Sequence, residues 1–449
     1  MMACGEMCLV GNGTRLGYAE RVTLWVIVNK RMQSATSRPV IDELFKGIVF
    51  GDGGIWERLA KDRLGDLLSV RAVVSTAHHG GVDIDLGSGV TSNECVISLF
   101  EGPRAHFISL DTSVQASRQD GRSVVPLDHS LSFDSNFAER LKAVVHGRKV
   151  GDVERNRVLS VLMLKANDSS VQFDILPFLF ENVRLTRSDP SNERPADTLV
   201  AFRMLDSLNW DALRNDPGNF VFETDAASLS KSLRPAAIET VAEFYRSEDI
   251  ARFEARALGI QALLLRFATL WHASKDTGRI LAALQDFCAY ELGFMPSTEL
   301  SVIWCGIRSR APARFLGPIT GHAVDLLNEI RSMAWDIAHL RLLETLSSSR
   351  VRGSFYLPYF VSFDAKWREL LCLNPIRFIL FDHSRMLVGR AQEKEFQTAC
   401  SEFRSEALDM SDGKVAARRE AASKITKDAM ANLVAQEEDR LSRARGSRG

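Results

Sequence analysis

Apolar residues return every three or four positions through the middle of the chain, most clearly over Ile238–Tyr245 and Ile250–His272. That spacing predicts amphipathic helices from about Asp197 to His339. On either side the pattern changes. Short runs rich in valine and isoleucine, bounded by glycine or serine, are expected as strands at Val70–Thr76, Val82–Leu86 and Cys95–Phe100, and Ala105–Leu110 and Ser130–Phe133 read as two more. Helices are expected at Ile55–Leu68 and Phe137–Val145, and the apolar stretches at Val158–Leu164 and up to Leu179 read as buried helices. From Ala391 charges alternate with alanine, and Arg440, Arg443, Arg445 and Arg448 close the chain, the pattern of a solvated helix with a basic tail.

These elements predict an α/β protein. Ser188 to Pro195 is a loop by composition and a natural boundary. The expected organisation is an extra segment over 1–31 ahead of a start at Met32, an amino-terminal α/β portion over 32–104, the first part of the main domain over 105–187, a helical insertion over 188–329, its second part over 330–390, and a charged helical tail over 391–449.

Composition narrows the class. With 449 residues, 45% hydrophobic and 25% charged, the chain is globular, which excludes disordered and collagen-like classes. A net charge of −1 excludes a wholly basic, histone-like nucleic-acid binder but leaves room for a local basic groove. The seven scattered cysteines contain no CxxC pair and fit a reduced, cytoplasmic compartment. No apolar run approaches the roughly 18 residues of a transmembrane helix.

The candidate chemistry sits where strands give way to helices. Leu131-Ser132-Phe133-Asp134-Ser135-Asn136 and Tyr359-Phe360-Val361-Ser362-Phe363-Asp364 each run from an apolar segment into an amphipathic one, and Trp335-Asp336 is expected to open a helix between them. In a parallel sheet such positions share one edge, where ligands collect. Carboxylates gathered there repel one another unless a hard cation lies among them.

Taken in order, these pieces resemble the PIN-domain family of metal-dependent nucleases. The resemblance rests on Asp134-Ser135-Asn136 after an apolar strand, on Asp336-Ile337-Ala338-His339-Leu340 continuing to Glu344, and on the run from Tyr356 to Phe381, in which Ser362-Phe363-Asp364 is followed by a helix, Ala365–Cys372, and another apolar strand, Ile376–Phe381. It implies a sheet assembled from two separated stretches of about 100–185 and 330–385. It covers about 80 residues in three pieces and demands a large helical insertion between Asp134 and Asp336. What it implies is a PIN-like parallel sheet flanked by helices and hydrolysis of RNA or single-stranded DNA with Mg2+ or Mn2+. Asp134, Glu181, Asp336 and Asp364 would be the catalytic and metal-holding acids, with Asn136, Ser362 and His339 behind them. Glu181 ends an apolar segment, and Glu239 competes with it for the fourth place.

Each of these residues also has a plainer role. Asp134, Asn136, Asp336 and Asp364 are residue types that cap helices, and His339 beside Leu340 and Leu342 fits a core histidine. Asp111 also ends an apolar strand and competes with Asp134 but lacks the Asn two positions on, whereas Asp128, six residues before Asp134, is a further candidate to join the cluster. Gly11 to Gly17 has its third glycine one position late for a dinucleotide fingerprint, and His78-His79 with Asp83 and Asp85 lacks zinc-ligand spacing. Arg140, Lys142, Arg148 and Lys149 are the candidates for nucleic-acid binding, with Arg308, Arg310 and Arg314 as a second set, and all of them equally fit a solvated face. The competing function is a non-enzymatic protein that binds a partner, or a second copy of itself, through its helices, with the sheet as inert scaffold.

Overall fold

The computed structural model describes residues 40–76, 83–85, 93–102, 104–109, 127–189, 191–308, 313–321, 323–347, 355–382, 386–403, 412–423 and 425–446. Residues 1–31, the Gly11 to Gly17 segment, Met32, His78, His79, Asp111 and Arg310 lie outside them. The chain runs α1 (Val40–Phe50), α2 (Ile55–Asp62), β1 (Arg71–Thr76), β2 (Asp83–Asp85), β3 (Val96–Ser98), β4 (Arg104–Ile108) and β5 (Leu127–Phe133). After β5 come α3 (Ser135–Val145), α4 (Asp152–Asn167), β6 (Val171–Asp174) and α5 (Leu176–Ser188). A helical stretch follows: α6 (Arg194–Met204), α7 (Trp210–Asn215), α8 (Ala226–Arg246), α9 (Glu248–Ala273), α10 (Thr277–Phe287), α11 (Ser297–Ile307) and α12 (Leu326–Leu346). The end of the chain adds β7 (Phe355–Val361), α13 (Ala365–Leu373), β8 (Ile376–Phe381), β9 (Met386–Arg390), α14 (Glu393–Glu402), α15 (Asp412–Ser423) and α16 (Lys427–Gly446).

The architecture is mixed α/β with two sheets among the described residues. One has the order β3-β7-β5-β6, with β7, β5 and β6 mutually parallel and β3 antiparallel to β7. Its central strand β5 is a buried parallel strand with both faces covered: Leu131 and Phe133 are inaccessible, and so are Ser130 and Ser132, which alternate with them. The chain leaves β5 for β6 on one side, and β7 arrives on the other only after the whole helical stretch. Such a switch of direction opens a crevice at the strand carboxyl ends.

The second sheet, β2-β4-β1-β8-β9, is antiparallel throughout. Here the expectation of a single sheet needs correction: Ile376–Phe381 does not join β7 but pairs with β1, Arg71 opposite Phe381 and Val74 opposite Phe378. The reason is packing on both faces. Ile376, Ile379 and Phe381 of β8 belong to the main core, whereas Phe378 and Leu380 pack with Val40, Ile41 and Leu44 of α1 in a smaller one.

Other departures have local causes. The expected helix at Ile55–Leu68 breaks at Arg63 into α2 and a single turn, Leu64–Leu67. The run expected as helix up to Leu179 contains β6, four residues too short to display a period-2 pattern, with Val171 and Phe173 buried. The carboxy-terminal helix is not a solvated tail, because Met430, Leu433, Val434 and Leu441 of α16 are buried and the helix packs along α9. No helix among the described residues is long and apolar enough to cross a membrane.

Candidate functional site

Asp134 sits where β5 stops and α3 begins. Its N–H still donates to the Val361 carbonyl at 3.1 Å, and its Oδ1 accepts from the Phe137 N–H at 2.6 Å, capping the helix. The junction is held by rings: Phe133 lies 4.7 Å from Phe137 and 5.1 Å from Phe173, and Phe137 lies 5.3 Å from Phe363, centroid to centroid. Asp134 Oδ2 accepts from the Ser362 hydroxyl at 2.5 Å, and the Ser362 oxygen accepts in turn from the Asp364 N–H at 2.9 Å. Asp364 caps α13 through the Lys366 N–H at 2.8 Å. The helix-cap reading of Asp134 and Asp364 is therefore correct, and the cap geometry fixes both carboxylates at the same sheet edge.

Asp336 reaches that edge differently. It does not open a helix but lies in the middle of α12, which packs against β7 and α5 and is anchored beside it by Trp335 against Phe253 at 5.3 Å. Leu326 starts the helix because the apolar spacing extends a full ten residues ahead of Asp336. Glu181 ends the buried run Ile175–Phe180, as expected, but lies mid-helix on α5, where it is exposed.

Electrostatics tie the four together. Burial pushes Asp134 up to about 7, opposed by the hydrogen bonds from Ser362 and Phe137 and reinforced by the charges of Glu181 and Asp364. Burial also raises Asp336 well above the carboxylate range, and Glu181, Asp364 and Asp134 add to it while Lys366 opposes. Asp336 keeps partial solvent access, yet protein atoms surround its carboxyl closely enough for desolvation to dominate. Asp134 at the end of β5 and Asp336 on α12 thus both feel the charges of Glu181 on α5 and Asp364 past the end of β7.

The remaining candidates scatter. Asn136 is exposed on α3. His339 is buried among Phe253, Trp335 and Trp367 with its Nε2 unpartnered, and burial lowers its pKa, as for a neutral core histidine. Glu239 is exposed on α8. Arg140 pairs with Glu154 at 3.0 Å and Lys142 with Glu139 at 2.7 Å, so both cations are already matched. Arg148 and Lys149 line a cavity at the opposite end of α3 from Asp134. Arg308 lies over the Trp304 ring at 4.6 Å.

One acid at this edge escaped the sequence reading. Asp174 ends β6, is buried, and accepts from the Ser132 hydroxyl at 3.1 Å and the Leu176 N–H at 2.9 Å. Its signal is faint: an apolar, polar, apolar, acidic quartet from Val171 to Asp174 after the Asp168-Ser169-Ser170 turn. Asp134, Asp174 and Asp364 stand at or just past the carboxyl ends of the three parallel strands β5, β6 and β7.

Carboxylate oxygens are the donor type that Mg2+ and Mn2+ take. The donor chemistry fits, but the spacing is open: among the described residues no three acidic, histidine or cysteine side chains stand close enough to hold one ion together. No protein-family model matches the chain, and no curated protein or solved structure matches it either.

Proposed function

We propose that the edge carrying Asp134, Asp336, Asp364 and Glu181 is a hydrolytic centre for phosphodiesters, and that the protein is a metal-dependent nuclease acting on RNA or single-stranded DNA, with a PIN-like arrangement of β7, β5 and β6. The observation that carries the reading is the meeting of acids from separate elements at one buried edge: burial raises Asp134 and Asp336, and the charges of Glu181 and Asp364 add to it in both. A scaffold gains nothing from assembling like charges in a place where each raises the cost of ionising the next. Asp174, fixed by Ser132 at the neighbouring strand end, extends the same acidic edge.

A bound Mg2+ or Mn2+ would offset that repulsion and supply an activated water together with charge stabilisation at the phosphate. The chain's own contributions are positional. Ser362 aims Asp134, the cap at Lys366 fixes Asp364, and Trp335 seats Asp336. The test is cleavage of end-labelled single-stranded RNA and DNA by purified protein with Mn2+ or with EDTA, beside the Asp336→Asn, Asp364→Asn pair. Cutting that needs both the metal and the two acids supports the reading, whereas cutting that survives the substitutions removes it.

The alternative, an inert scaffold that binds a protein partner or a second copy, is favoured by the open spacing of the acids and by the engagement of both Asp134 oxygens within the protein. It predicts no response of thermal stability to Mn2+.

A further inference from the structure

The corner between α3 and α4 faces the loop ahead of α8 across a cavity of about 1150 Å3. Its walls carry Arg148, Lys149, Arg155 and Lys231, none of which has an ion-pair partner among the described residues. Arg234, also on the wall, is occupied by Asp197 and Glu193. The carboxylates left are Asp152 and Asp225, the latter capping α8 through the Ser228 N–H at 2.9 Å, so the cavity is net positive in a protein whose total charge is −1. Phe220 and Phe222 complete it, half-buried, with near-parallel rings 6.5 Å apart at 28°. Gly218, at φ +107°, brings this loop against Arg155, where a Cβ would lie 3.0 Å from the guanidinium.

We propose that this cavity binds a single strand of nucleic acid, with phosphates on Arg148, Lys149, Arg155 and Lys231 and bases against Phe220 and Phe222. Unmatched cations beside exposed aromatic faces are the combination that holds single strands without reading sequence. An acidic peptide would use the cations and leave the rings idle. Resting on the nuclease reading, the cavity is an accessory site and not the reacting one: it lies at the Val144–Val145 end of α3, whose 11 residues put it roughly 16 Å from Asp134 at 1.5 Å per residue. At about 3.4 Å per stacked nucleotide, a strand occupying both places spans at least about five nucleotides.

The test is fluorescence anisotropy of a labelled single strand of about twenty nucleotides with the full chain in EDTA, across a salt series, for wild type, the Arg148→Ala, Lys149→Ala pair, Phe222→Leu and Lys61→Ala, an exposed cation on α2 outside the cavity. The paired substitution is expected to weaken binding about tenfold and to flatten the log–log salt slope by about 1.4, two phosphates at roughly 0.7 each. Phe222→Leu keeps apolar character without the ring and is expected to weaken binding with the slope unchanged, and Lys61→Ala to bind as wild type. No binding by wild type, equal affinity and slope in the paired variant, or equal competition by polyglutamate would overturn the proposal. Binding lost in the cavity variants without any metal-dependent cleavage would leave the cavity standing and remove the nuclease. Cleavage with unchanged affinity would do the reverse.

Discussion

The Ser362 hydroxyl donates a 2.5 Å hydrogen bond to the Asp134 carboxylate across two parallel strands whose partners are 228 positions apart in the chain. Asp134 is buried, and this bond is the strongest influence holding its proton affinity down against desolvation. Removing it with Ser362→Ala should raise the Asp134 pKa above its present value of about 7. A hydrogen bond to a charged group is worth about 1.5–3 kcal/mol, and one to the neutral acid about half that. Urea denaturation should therefore find Ser362→Ala destabilised more at pH 8 than at pH 5. Equal losses at the two values would mean that Asp134 is not ionised at pH 8.

Asp134 itself carries a pH dependence of opposite sign to that of a paired surface acid. Its folded pKa, about 7, lies above the unsupported value of 3.8, so between these values the folded state holds a proton that the unfolded state has released. Stability from this group is complete below about pH 4 and is lost as pH rises through about 7. A shift of about 3 units corresponds to at most about 4 kcal/mol. Asp134→Asn keeps an effective cap for α3 and an acceptor for Ser362. It should raise the melting temperature at pH 8, leave it unchanged at pH 4, and flatten the stability profile between.

Much of this edge was legible in the sequence because Asp134 and Asp364 stand at abrupt switches from a period-2 or apolar run to a helical one, and such switches are local. Asp336 was legible as an acid of interest but not as a mid-helix residue, since a helix start without a strong cap signal leaves no mark when apolar spacing simply continues upstream. Asp174 was hidden by the brevity of β6. The placement of Ile376–Phe381 in the second sheet was not legible at all: its apolar alternation serves two cores at once, and which strand it pairs with depends on β1, some 300 positions earlier. Four cations with the same local look divided only in three dimensions, Arg140 and Lys142 into ion pairs and Arg148 and Lys149 into a cavity.

If the acidic edge takes a divalent cation, binding must compete with protons on Asp134 and Asp336, both of which hold them unusually tightly. Mn2+ at about a hundred times its dissociation constant should stabilise the fold by about 2.7 kcal/mol. The gain in melting temperature should be larger at pH 8 than at pH 6, because fewer protons have to be displaced. Asp336→Asn should itself be stabilising at pH 8 without metal, since it removes a carboxyl that burial and three neighbouring acids disfavour as an anion, and it should abolish the Mn2+ response. A response that persists in Asp336→Asn would place the ion elsewhere.

The carboxy-terminal helix offers a test that does not depend on function. Its charges suggest a solvated tail, yet Leu441 is 1% exposed and Glu437 is inaccessible, gripped by Arg266 at 2.7 Å and Arg440 at 2.7 Å. The apolar positions Met430, Leu433, Val434 and Leu441 form a stripe that α9 covers, so deleting side chain there opens a cavity. Leu441→Ala should cost about 2–5 kcal/mol, as for other fully buried leucines. The same substitution in a solvated tail would fall within about 0.5 kcal/mol of zero. Burial pushes Glu437 upward while the Arg266 guanidinium opposes it, so Arg266→Met should add a destabilisation that grows as pH rises from 5 to 8. Thermal denaturation of the two variants at both pH values separates a packed helix from an ornamental one: a neutral Leu441→Ala would return α16 to solvent.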